Sequence, residues 1–124
     1  MPDIELKGFP TRTGVAEGRI FVFDKSQGEA FKSKVPFAKG GVLVATTTNP
    51  GMMDKIKMAS AVVCEGGGRT SHAALVCSEI GKPCVVGVQG LMSAIDTWRG
   101  AMPIRMAVDG TTGIVRILDY EIKL

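Results

Sequence analysis

Residues 61–87 read AVVCEGGGRTSHAALVCSEIGKPCVVG, and the order of these pieces decides the fold. Ala61-Val62-Val63-Cys64 is a short continuous apolar run of strand length. Gly66-Gly67-Gly68 breaks it. A helix is predicted over about Ser71 to Ile80, with Gly81 and Pro83 as its stop signals. Pro83-Cys84-Val85-Val86-Gly87 then reads as a strand buried on both faces. Strand, glycine loop, helix and strand in this order imply parallel strands joined by a right-handed crossover.

The same alternation extends upstream. Gly41-Val42-Leu43-Val44-Ala45 is another doubly buried strand. Asn49 is a good helix N-cap with Pro50 at the first helical position. Met52, Ile56 and Ala59 then fall on one helical face, with Lys55 and Lys57 turned outward. Residues 18–24 alternate and are rich in β-branched and aromatic side chains, so they predict a strand. Asp24 to Lys39 is polar and mixed, a long connection. Near the end, Ile104–Val108 and Gly113–Leu118 are strand candidates joined by Asp109-Gly110-Thr111-Thr112, a turn-rich link that suggests a hairpin. The expected fold is α/β, a layered sheet with helices, with the glycine loop at a strand C-terminus, where such sheets place ligands.

Bulk properties narrow the class. With 124 residues there is room for one domain, residues 1–124. A hydrophobic share of 45% excludes a disordered tail. The net charge is +3, and the 15 basic residues are scattered, with no basic run or basic–aromatic ladder, so no nucleic-acid partner is expected. No apolar run approaches the roughly 20 residues of a membrane span, and the first residues lack the pattern of a secretory signal. The cysteines, Cys64, Cys77 and Cys84, are odd in number and form no CxxC pair, so neither a disulfide framework nor a zinc site is supported. Free thiols point to the reducing cytosol, and a cytoplasmic location is expected.

Chemistry concentrates in Glu65-Gly66-Gly67-Gly68-Arg69-Thr70-Ser71-His72-Ala73-Ala74. His72 is the sole histidine. It stands in the first turn of a predicted helix, where backbone N–H groups lack internal partners and carry partial positive charge. A phosphate on the ring would be held by those donors and by the loop of Gly66, Gly67 and Gly68. The same field disfavours imidazolium and so preserves a nucleophilic lone pair. Thr70 and Ser71 can donate to phosphoryl oxygens, and one of them caps the helix. Arg69 can pair with a phosphate in the transition state. Ala73 and Ala74 are expected to leave open space around the ring. The plainer reading is a lone surface or core histidine beside an ordinary turn. A P-loop is absent, because Val63 stands where its first glycine should be. No GxSxG elbow occurs, and one histidine cannot form HxxxH or HExxH.

The run Gly67-Gly68-Arg69-Thr70-Ser71-His72-Ala73-Ala74 resembles the phosphohistidine signature of the phosphoenolpyruvate-utilising enzymes, which include phosphoenolpyruvate synthase, pyruvate phosphate dikinase and enzyme I of the sugar phosphotransferase system. Gly14 to Gly18, Leu43 to Val63, Gly81 to Gly87, and Val108 to Gly110 with Gly113 are similar to further blocks of that family, so the resemblance covers roughly residues 8–118. Asn49, Thr47, Cys64 and Glu65 depart from its commonest residues. The resemblance implies a swivelling β/β/α domain with the phosphohistidine loop at a helix N-terminus and phosphorylation on Nε2. It implies partners: an ATP-grasp nucleotide-binding domain or subunit, and a barrel domain or subunit for phosphoenolpyruvate and pyruvate. Magnesium belongs to those partners, and no cofactor or metal to this domain. The leading expectation is a carrier that is incomplete as an enzyme alone. A non-catalytic phosphate-binding or regulatory module is the alternative, and a thiol enzyme using Cys64 or Cys84 is a poor third.

Overall fold

A computed structural model of the chain describes residues 4–23, 39–97 and 105–118. Three apolar runs form its parallel centre: β4 (Val42–Ala45), β5 (Ala61–Cys64) and β6 (Cys84–Val86), every residue of them buried. Before them lie β1 (Ile4–Lys7), β2 (Phe9–Arg12) and β3 (Val15–Phe23), and after them β7 (Arg105–Asp109) and β8 (Ile114–Leu118). The helices are α1 (Met53–Met58), preceded by a 3-10 turn at Pro50–Met52, then α2 (His72–Ile80) and α3 (Leu91–Thr97). The strands hydrogen-bond in the order β1-β8-β7-β3-β4-β5-β6-β2.

One long strand joins two half-sheets. Val15 to Arg19 of β3 pairs antiparallel with β7, whereas Ile20 to Phe23 pairs parallel with β4. The parallel half continues through β5 and β6 and is closed by β2, which pairs antiparallel with β6. The other half is an antiparallel meander in which β7 and β8 form the expected hairpin and β1 pairs with β8.

Side-chain alternation on the central strands divides the core into two layers. Leu43, Ala45, Val62, Cys64, Cys84 and Val86 face α1 and α2, meeting Met52, Ile56, Ala59, Ala73 and Cys77. Val42, Val44, Ala61, Val63 and Val85 face the other way, packing with Met106, Val108, Val115 and Ile117 of the meander and with Leu91 and Ile95 of α3. Sheet, sheet and helix therefore stack as three layers. All three cysteines are free and buried, filling the helix-side layer as small apolar groups.

Differences from the sequence reading lie in the details. The first helix opens as a 3-10 turn, with the Asn49 side chain accepting from the Gly51 N–H. Lys57 is exposed but Lys55 is half-buried. The strand expected over 18–24 begins earlier, at Val15. β1, β2 and α3 were not anticipated. Most of the expected connection from Asp24 to Lys39 lies outside the described residues. No described helix is long and apolar enough to cross a membrane.

Candidate active site

The loops after β4, β5 and β6 all emerge at the carboxyl edge of the parallel strands and meet there. The middle loop is held on both sides. The Glu65 and Gly66 N–H groups donate to the carbonyls of Ala45 (3.0 Å) and Thr46 (2.8 Å), while the Gly87 and Val88 N–H groups donate to the carbonyls of Gly66 and Cys64 (both 3.1 Å). Gly67 lies at φ +91°, where a side chain would be strained and its Cβ would sit 3.0 Å from the Ser71 side chain. The chain can therefore turn from β5 into α2 within a few residues.

Ser71 is the N-cap of α2, its hydroxyl accepting from the Ala74 N–H at 3.4 Å. Gly81 ends the helix in the left-handed region at φ 76°, its N–H donating to the Cys77 carbonyl. His72 is the first residue of the helix, and its ring is half-buried. Nδ1 lies 2.8 Å from Oγ1 of Thr48, a residue of the loop after β4. Thr47, Thr48, Cys64, Gly66, Gly67, Ser71, His72 and Ala73 enclose a cavity of about 160 Å³. Burial raises the Cys64 thiol above the ordinary range, with the nearby Cys84 sulfur adding to it. That keeps Cys64 a protonated wall of the cavity rather than a thiolate.

Of the residues singled out from sequence, Gly66, Gly67, Ser71, His72 and Ala73 line this cavity. Gly68, Arg69 and Thr70 do not; Arg69 and Thr70 are exposed on the turn leading into α2. The Gly66 N–H is already used by Thr46, whereas the N–H groups of Gly67, Gly68, Arg69, Thr70, His72 and Ala73 have no partner among the described residues. Ala73 lines the cavity beside the ring, and Ala74 follows it into the helix. Both are 2% exposed, and their small size lets α2 lie close on the sheet. Thr47 and Thr48 were not singled out for the site. Their signal was available: β4 and β5 are adjacent parallel strands, so the loops that follow them must share an edge.

Solved structures with this arrangement of layers define the class. Aconitase X of Thermococcus kodakaraensis in its holo-form overlays with a TM-score of 0.59 at 20% identity, over 93% of this chain and 98% of that one. The N-terminal domain of Enzyme 1 - Nitrogen overlays with a TM-score of 0.52 at 22% identity, over 68% of this chain and 33% of that one. At such identities the likeness is one of fold, and the fold is the swivelling β/β/α domain. Within that class the chain belongs to the PEP-utilising enzyme, mobile domain family, whose model matches residues 37–113. Among full-length relatives, phosphoenolpyruvate synthase of Pyrococcus furiosus is 40% identical over 114 residues, which is 91% of this chain but 13% of that protein.

Proposed function

We propose that the domain is a phosphohistidine carrier, with His72 as the phosphoacceptor. The contact between Thr48 Oγ1 and His72 Nδ1 at 2.8 Å carries this reading. With Nδ1–H donating to Thr48, the neutral ring keeps its lone pair on Nε2, the nitrogen free to attack phosphorus. The N–P bond forms as the donor's P–O bond breaks, and the leaving oxygen departs with the electron pair. His72, Ala73, Ser71 and Gly67 line the cavity beside the ring, and in this reading their N–H and hydroxyl groups are the donors for the developing phosphoryl charge. Transfer onward is the reverse step toward a second acceptor. Arg69 and Thr70, exposed beside the cavity, meet the phosphoryl group when a partner site closes over it.

The partners in this reading are an ATP-grasp nucleotide-binding domain and a barrel domain binding phosphoenolpyruvate or pyruvate, each with its own magnesium, in the cytoplasm. The chain spans 13% of the Pyrococcus relative, which fits one module of a larger machine. Alone it should neither hydrolyse ATP nor convert pyruvate.

The test is phosphorylation with phosphoramidate, a small phosphoryl donor, and with labelled phosphoenolpyruvate plus a barrel partner. Acid-labile label on wild type and none on His72→Ala is the expected result. Acid-stable label, or label persisting in His72→Ala, refutes it. A wild type that binds phosphate but takes no label points instead to a non-catalytic phosphate-binding or regulatory module.

A further inference from the structure

We propose that Glu65 is a positioning residue for the histidine loop and acts through α3; the inference rests on the phosphoacceptor reading of His72. Glu65 Oε2 accepts a hydrogen bond from the Met92 N–H at 2.9 Å, across 27 residues of sequence. The first turn of α3 otherwise satisfies itself locally, with Leu91 N–H donating to the Val88 carbonyl and Ala94 N–H to the Gly90 carbonyl. Glu65 thus caps α3 from another loop, with its carboxylate at the positive end of the helix. The helix it grips is fixed, because Leu91 and Ile95 are buried in the layer between the two half-sheets.

The position of Glu65 in the chain gives the contact its consequence. It directly follows Cys64, which lines the cavity, and directly precedes Gly66, Gly67 and Gly68. Three consecutive glycines have little stiffness of their own. Gly66 has its own backbone bonds to Thr46 and Gly87, and the placement of the loop depends on these together with how the residue before it is held. Glu65 is held twice: its N–H bonds the Ala45 carbonyl on the β4 side, and its carboxylate bonds Met92 on the β6 side. The brace runs from the end of β4 to α3 and holds the start of the glycine loop between them. Glu65 touches no reacting atom. Its effect passes through the placement of the glycines and of His72.

Glu65→Ala removes the side-chain half of the brace, and Glu65→Gln keeps an amide oxygen that can accept from Met92. Three quantities are read in the intact protein well below its melting temperature: amide exchange at Gly66, the ring ¹⁵N shifts of His72, and the rate of phosphorylation by phosphoramidate. In Glu65→Ala, Gly66 exchange accelerates, the His72 ring signals move, and the rate falls on the order of tenfold. Glu65→Gln restores most of all three. Loss of helix capping alone would lower the melting temperature and leave the ring signals in place, and that pattern overturns the proposal. Glu65→Gln behaving like Glu65→Ala overturns it too. If Glu65→Ala fails to fold, the comparison of Glu65→Gln with wild type decides. If wild type itself takes no phosphate, the phosphoacceptor reading fails, while exchange and ring signals still report on Glu65.

Discussion

Replacing Thr48 with valine keeps a β-branched shape beside His72 and deletes only the hydroxyl that meets Nδ1 at 2.8 Å. In the reactive tautomer that hydroxyl accepts the Nδ1–H. The variant leaves this donor without a partner at a half-buried position, and frees the ring to rotate. A buried donor left unsatisfied costs about 1–3 kcal/mol, and the same loss in the transition state is on the order of 5- to 150-fold in rate. The effect belongs to the ring itself, so it appears with any phosphoryl donor. Arg69 and Thr70 lie outside the cavity lining and provide the contrast. With phosphoramidate, Thr70→Val and Arg69→Ala should stay within about twofold of wild type, as exposed substitutions do. With a partner enzyme, losing a donor that closes on the phosphoryl group should cost about 10²–10³. Rates are read as acid-labile phosphate on quenched samples, by ³¹P NMR or intact mass. A Thr48→Val protein phosphorylated by the small donor at the wild-type rate would refute the argument. So would a Thr70→Val protein slowed as much as Thr48→Val with that donor.

Two further predictions concern the scaffold. Gly113→Ala should destabilise by about 1–3 kcal/mol or more in urea unfolding, because φ is +83° and the new Cβ would lie 2.4 Å from the Gly8 carbonyl oxygen. Gly68→Ala, which meets no atom within 4 Å, should stay within about 0.5 kcal/mol of wild type. Asp109 accepts from the Thr111 and Thr112 N–H groups at 2.9 and 3.2 Å, which holds its carboxyl below the ordinary value of 3.8. A group with a lowered folded-state pKa contributes stability above its unfolded pKa and loses it as pH falls through the folded one. Asp109→Asn should therefore cost stability at neutral pH and little in strong acid. Unfolding curves for the two proteins that stay equally far apart at every pH would contradict this.

The parallel centre was legible because its signals are local. β4, β5 and β6 are unbroken apolar runs bounded by Gly, Pro or polar turns, and α2 carries its own cap at Ser71 and stop at Gly81. What escaped depends on partners distant in sequence. β2 contains Pro10, which argues against a strand, yet β2 is the outermost strand, where proline is tolerated. β1 is four residues of mixed polarity that become a strand only beside β8. α3 is preceded by Gly90 rather than by Ser, Thr, Asp or Asn, so its start carries a weak local signal, and Glu65 caps it from another loop. The site divided in the same way. His72, Ser71 and the glycines announce themselves as one motif. Thr48, 24 residues before His72, joins them only once β4 and β5 are known to be parallel neighbours. That the Gly66 N–H is spent on the Thr46 carbonyl was invisible without the register of the loops.

The pairing of the outermost strand of the meander has a consequence of its own. Ile4 stands opposite Ile117, and Lys7 opposite Ile114. The first and last described strands are therefore hydrogen-bonded neighbours, with backbones about 5 Å apart. A module with that geometry can be spliced into a surface loop of a host protein and leave the host backbone almost continuous, since the inserted chain returns to where it left.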